Sequence, residues 1–279
     1  MGIHTADAIV LRHRPYRETS AFVSCLTERY GKIRGLIKGL RDQARPRFRS
    51  AMEPLTLNRI VFYDVRSGSL HLISQCELVD EFRGVSSSLE TMRAACACVE
   101  VAEALIEAGD PHPEMFRLLR GALGRLSAGE EPSRIQAHTL VRLLRLAGFH
   151  PQLDECAGCD RVTLADGHWS VRQGGLLCAA CLHLDPEAGA IDPSELSIME
   201  ACADSDLPPA LTADEVRRLE RRVVEFLQWW VDRPLKTLPP STMAARTHRR
   251  RRETMKVSGP QDQHPASLPR RQGLAGSVA

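Results

Sequence analysis

The sequence predicts an α+β protein in which a small closed barrel of five strands precedes an α-helical body that carries a four-cysteine element. Three observations lead there. Short runs rich in β-branched residues fill the N-terminal part up to about position 82; from about Ser87 apolar residues recur three and four apart; and two C-x-x-C pairs, Cys156/Cys159 and Cys178/Cys181, interrupt the helical part.

In chain order, "DAIVLR" and "SAFVSCLTERYG" read as the first two strands, and "GKIRGLIKGL" alternates as a third. "LTLNRIVFYDVRSGSLHLISQCELVD" supplies two more, broken by a hairpin signal at Ser67-Gly68. Five strands of this length favour a closed barrel over a sandwich. Between the third and fourth, "RDQARPRFRS" is too basic and too proline-marked for a strand and reads as a loop. "SSLETMRAACACVEVAEALIEAG" then opens with a capping box at Ser87–Glu90 and stops at Gly109 and Pro111. "PEMFRLLRGALGRLSAG" and "EPSRIQAHTLVRLLRLAGFHP" continue the helical body. After the cysteine element, "DPSELSIMEACADSD" and "TADEVRRLERRVVEFLQWWVDRPLKT" return to helix, the latter with Val216, Leu219, Val223, Phe226 and Leu227 in one core-facing stripe. From Met243 onward apolar clustering ends and disorder is expected. The expected domains are a barrel over 1–82, a helical domain over 83–240 with the cysteine element at 154–184, and a disordered basic tail over 241–279.

The formal net charge of +2 conceals an asymmetry. Residues 1–52 hold eleven Lys/Arg against four Asp/Glu, and residues 243–279 hold eight against two, so the middle is strongly acidic. A polyanion is therefore expected to bind at the ends. The start, "MGIHTADAIVLRHRPY", lacks the layout of a secretion signal and no run is long enough for a membrane span, so a cytoplasmic protein is expected.

The chemistry-bearing motif is the pair of C-x-x-C turns, eighteen residues apart. Each turn aims two thiolates at one centre, and two turns complete a tetrahedron around one Zn²⁺. Cys156, Cys159, Cys178 and Cys181 are its expected ligands. Four thiolates leave no position for water or substrate, so the metal is expected to be structural. Redox or merely buried cysteines are the alternative. Trp169 is expected to cover the site, and His168 to be a surface imidazole.

In the basic head, Lys32 and Arg34 are expected to share a strand face while Ile33 points to the core, with Lys38 and Arg41 beyond them and Arg45, Arg47 and Arg49 in the loop. A cationic groove with Tyr16, Tyr30, Phe48 or Tyr63 as stacking platforms suits single-stranded nucleic acid. The plain alternative is a solvated charged surface. The arginine run 246–252 suits auxiliary phosphate contacts. Trp229 and Trp230 either finish the core face of the last helix or anchor a partner. No Walker loop, dinucleotide glycine fingerprint, H-E-x-x-H or G-x-S-x-G occurs, so the sequence gives no support for an enzyme.

The order of these parts, with "DAIVLRHRPYRETSAFVSCLTERYGKIRGLIKGLR", "LLRLAGFHPQLDECAGC" and "DRPLKT", resembles the RecO family of bacterial DNA repair proteins over about residues 3–240. The resemblance implies an N-terminal OB-fold that binds single- and double-stranded DNA, at basic positions that fall on Lys32, Arg34, Lys38 and Arg41. It also implies a zinc element on the four cysteines and a non-enzymatic, nucleoid-associated role as recombination mediator. Such a mediator anneals complementary strands and, with RecR, helps load RecA onto strands coated by single-strand-binding protein. This sequence departs from the family pattern after Lys38-Gly39, where Leu40 and Asp42 dilute the basic run. A zinc-stabilised protein-interaction adaptor without DNA binding is the alternative.

Overall fold

A computed structural model describes residues 2–39, 52–63, 70–162, 167–231 and 234–239. The chain divides into two units, Met1–Ser241 and Thr242–Ala279, and every described residue belongs to the first. The expected basic tail, the hairpin signal at Ser67-Gly68, and Arg41, Arg45, Arg47 and Arg49 lie outside the described residues.

Five strands, β1 (Ile3–Tyr16), β2 (Ser20–Thr27), β3 (Gly31–Ile37), β4 (Leu57–Tyr63) and β5 (Leu70–Asp80), close into a barrel in the order β1-β2-β3-β5-β4. Neighbours pair antiparallel except β3 and β5, which run parallel from Arg34↔Leu70 to Ile37↔Ile73. This five-stranded barrel is of the OB type. Alternation fills its interior: Ala21, Val23 and Cys25 of β2 and Ile33 and Ile37 of β3 point in, joined by Ala8, Val10, Ile60, Phe62 and Ile73.

In β1 the alternation breaks. The register with β2 shifts between Val10 and Arg12, a β-bulge that puts one extra residue into β1. Ala8 and Val10 face the interior before the bulge; after it Arg12, Arg14 and Tyr16 leave that side and stand opposite Ser24, Phe22 and Ser20 on the outer face. One extra residue thus spares the barrel interior two guanidiniums.

The helical body consists of α1 (Leu89–Leu105), α2 (Pro113–Ser127), α3 (Pro132–Leu146), α4 (Pro193–Asp204) and α5 (Ala213–Trp230). Three start with proline at the first turn, where the missing N–H costs nothing. The expected cap of α1 moves by one residue: Ser88, not Ser87, accepts the Thr91 amide at 3.0 Å, because Ser87 ends a short 3-10 turn over Arg83–Ser87. The helix also ends at Leu105, before Gly109. α5 begins with a reciprocal box in which Thr212 accepts from the Glu215 amide and Glu215 accepts from the Thr212 amide at 2.7 Å. Its expected stripe, Val216, Leu219, Val223, Phe226 and Leu227, is buried.

Barrel and helices share one core. Ile9, Leu11, Leu26 and Leu57, on the outside of the barrel, are buried in the same cluster as α1, α2, α3 and α5. Gly31 (φ 62°) lies so close to the turn after α1 that a Cβ there would stand 2.0 Å from the Asp110 carbonyl oxygen. The Gly109 amide donates to the Lys32 carbonyl at 3.0 Å, and Arg117 of α2 pairs with Glu28 at 2.8 Å. Between α3 and α4 the chain forms a small sheet of β6 (Gln152–Cys156), β7 (His168–Ser170), β8 (Gly175–Leu177) and β9 (Gly189–Ala190), ordered β6-β8-β7-β9.

Candidate metal centre and nucleic-acid interface

The small sheet brings both C-x-x-C turns to one point. Cys156 ends β6 and Cys159 lies in the turn beyond it; Cys178 follows β8 and Cys181 lies in the 3-10 turn over Ala179–Leu184. The four Sγ atoms all lie within 4.8 Å of one another, and Cys159 and Cys178 are 3.8 Å apart. A tetrahedron with metal–sulfur bonds of ~2.3 Å has an edge of ~3.8 Å, so the set fits a zinc-sized ion. All nine cysteines are free thiols. Burial raises the proton affinity of Cys156, but amides of Cys178, Gly158 and Cys159 aimed at its sulfur outweigh this and carry it down to about 6. The Cys178 and Gly158 amides stand 3.3 and 3.4 Å from that sulfur. Amides arranged in this way favour a thiolate before any metal arrives.

One aromatic expectation needs correction. Trp169 does not cover the cysteines: it is buried on the opposite side of its strand, 5.9 Å from the Phe226 ring, within the helical core. The strand alternates, and the helices offer the larger apolar surface. Trp230 donates its Nε1–H to the Val171 carbonyl at 2.9 Å and stacks near Phe226, while the Arg172 guanidinium lies 5.5 Å over the Trp229 ring. The end of α5 thereby clamps the cysteine module onto the helical body. His168 sits in β7 and is half-buried.

The other candidate site is the outer face of β1-β2-β3. Register places Arg12, Ser24, Arg34 and Leu70 in one row and Arg14, Phe22, Leu36 and Leu72 in the next. These rows border a cleft of about 320 Å³ that reaches Glu103 of α1. Tyr16 packs against Phe22 with ring centroids 4.5 Å apart, and the Arg17 guanidinium lies 5.2 Å from the Tyr16 centroid. Phe22 is half-exposed, and Arg14, Arg34 and Lys38 are exposed. Among the described residues Arg14 and Arg34 have no acidic partner, in contrast to Arg59, which is neutralised by Asp7 at 2.9 Å.

Lys32 does not join this face as expected. It shares the outer side with Arg34, but the helices cover that end of the strand; Lys32 is only 7% exposed, and its ammonium donates to the Glu103 carbonyl at 2.8 Å. Alternation fixes the side of a strand but not which part of that side another domain covers. Arg12, Arg14 and Phe22 are the residues that sequence reasoning missed. The two-residue spacing of the arginines was visible in "LRHRPY", yet the face they adopt depends on the bulge.

The molecule thus defines a class: an OB-type barrel with an open cationic and aromatic face, extended by a helical body that holds a close set of four cysteine sulfurs. Family models describe it more narrowly. Residues 1–82 match the N-terminal model of recombination protein O, and residues 86–239 match its C-terminal model. Similar proteins include the DNA repair protein RecO of Moorella thermoacetica, 32% identical over 64% of this chain and 67% of that one. The namesakes from a Nocardioides species and Pelotomaculum thermopropionicum are 29% and 28% identical over 85% of this chain, and over 98% and 93% of their own lengths. The chain belongs to the RecO family of recombination and DNA repair proteins. Among the described residues no helix is long and apolar enough to cross a membrane.

Proposed function

We propose that this chain is a non-catalytic recombination mediator that binds single- and double-stranded DNA and anneals complementary strands. With RecR it helps load RecA onto strands covered by single-strand-binding protein. The observation that carries this reading is the open outer face on which Arg14 stands beside the half-exposed Phe22 and Arg34 stands in the neighbouring row, with exposed Lys38 just past β3, in a chain of this family. Unpaired cations supply a sequence-independent phosphate attraction, and a ring on the same face supplies a platform for an unstacked base. Arg41, Arg45, Arg47 and Arg49 belong to the same proposed interface, which works in the cytoplasm at the nucleoid. We assign DNA binding to residues 1–82 and the scaffold to 83–240. One Zn²⁺ on the four cysteines has a structural part, since thiolates fill its coordination sphere.

The test is annealing of complementary oligonucleotides coated with single-strand-binding protein, without nucleotide. Annealing that scales with this chain and is lost at high salt is the expected result. An adaptor without DNA binding would leave the strands apart and give no gel shift, and that outcome would sink the reading.

A further inference from the structure

We propose that Glu103 is an internal competitor for nucleic-acid phosphate: it holds Arg12 in the empty cleft and yields it when a strand enters. This rests on the nucleic-acid reading of the barrel face and adds a residue that sets how tightly that face binds. Three features of the cleft lead to it. Arg12 and Arg34 stand on either side of Ser24 in one cross-strand row. The Ser24 hydroxyl is buried, on a residue 7% exposed, and has no hydrogen-bond partner among the described residues. A buried donor without an acceptor, between two guanidiniums, is completed by an anionic oxygen. Finally, Glu103 projects from the last turn of α1 into this cleft, its carboxylate 3.9 Å from Arg12 Nη1.

That distance is at the limit of an ion pair, and Arg12 is half in water, at 51% exposure. Such a pair is weak, whereas a phosphate presents two oxygens to the guanidinium fork. Exchange is therefore favoured once a strand is held by Arg14 and Arg34. The backbone carbonyl of Glu103 accepts from Lys32, which fixes the position of the residue on the barrel. Glu103→Gln keeps this carbonyl while removing the competing charge.

The experiment is anisotropy of a labelled oligothymidylate with the full chain over a salt series, using wild type, Glu103→Gln, Arg12→Gln, the double variant and Arg34→Ala. Thermal melts follow each variant. Glu103→Gln should tighten binding by about fivefold at low salt and steepen the log–log salt dependence by up to ~0.7, as Arg12 becomes free to displace a counterion. The gain should vanish in the Arg12→Gln background, which a general change of charge or stability would not produce. Equal affinity for Glu103→Gln and wild type, with Arg34→Ala still weakened, would overturn the competitor while leaving the binding reading intact. A gain that survives Arg12→Gln would also overturn it. A wild-type chain that binds no oligonucleotide would overturn both. If Glu103→Gln melts early, NMR of the wild-type chain replaces it: the Arg12 Nε and Glu103 Cδ resonances should move together on adding the strand, and an unmoved Glu103 rejects the proposal.

Discussion

Arg34 and Lys32 are two residues apart on one strand side, yet the structure gives them different work. Arg34 is exposed with no acidic partner among the described residues, so on the proposed reading its removal would cost phosphate contact and nothing in the core. Arg34→Ala should weaken oligonucleotide binding by about 1 kcal/mol, roughly fivefold, for all sequences alike, and lower the salt slope by ~0.7. Lys32→Met should leave that slope unchanged and destabilise the fold by about 1–3 kcal/mol, because it orphans the Glu103 carbonyl at a buried junction. Urea denaturation and salt-dependent anisotropy on the two variants separate these roles; a reversed pattern would move the interface. The cysteines are the opposite case. Their spacing is local and bringing them together needs only two tight turns, so the four-cysteine cluster was legible in sequence. The cationic face was legible only as charge, since which arginines reach it depends on a bulge in β1 and on the helices that cover Lys32.

At the scale of elements, the β1-β2-β3 sheet face mixes guanidiniums with one half-exposed ring pair. Phe22→Ala should cost about 1–2 kcal/mol on single strands and much less on duplex, whose bases already stack on one another. Equal losses on both would make Phe22 a packing residue rather than a platform. The link from α3 to β6 makes a separate prediction. There His150 is pushed down to about 4 by burial, with Arg145 adding to the effect, and its Nδ1 is buried without a partner among the described residues. Its value in the unfolded chain is near 6.5. The unfolded state thus binds more protons between these values, and stability falls as the pH drops from about 6.5 to about 4. Discounted for partial solvent contact, the loss is about 2 kcal/mol. His150→Leu should flatten this drop in urea midpoints measured at neutral and acid pH; an unchanged drop would place the acid sensitivity elsewhere. The strands and helices themselves were legible from period and caps. The α1 cap slipped by one residue because two serines compete for it and a 3-10 turn consumes the first.

For the whole molecule the decisive fact is the shared core. A barrel of this size has little interior of its own, and the outer side chains Ile9, Leu11, Leu26 and Leu57 bury themselves among the helices. Sequence alone marks a change of period near residue 87, which reads as a domain boundary; it does not reveal that the apolar residues on both sides of that boundary share one interior. The tryptophans offer a direct test, because Trp169, Trp229 and Trp230 all lie in the cysteine module and on α5, beyond the barrel. Leu26 is fully buried on β2 within the shared core. Leu26→Ala should therefore destabilise the transition reported by tryptophan fluorescence by about 2–4 kcal/mol, and by the same amount when far-ultraviolet circular dichroism follows it. Gly31→Ala, which drives a Cβ into the Asp110 carbonyl, should move both signals together as well. If either substitution shifted the dichroism while the tryptophan transition stayed in place, barrel and helices would unfold separately. A barrel that bound DNA would then be coupled to its scaffold only by the chain, whereas one cooperative core holds the cationic face at a fixed angle to α1 and keeps Glu103 within reach of Arg12.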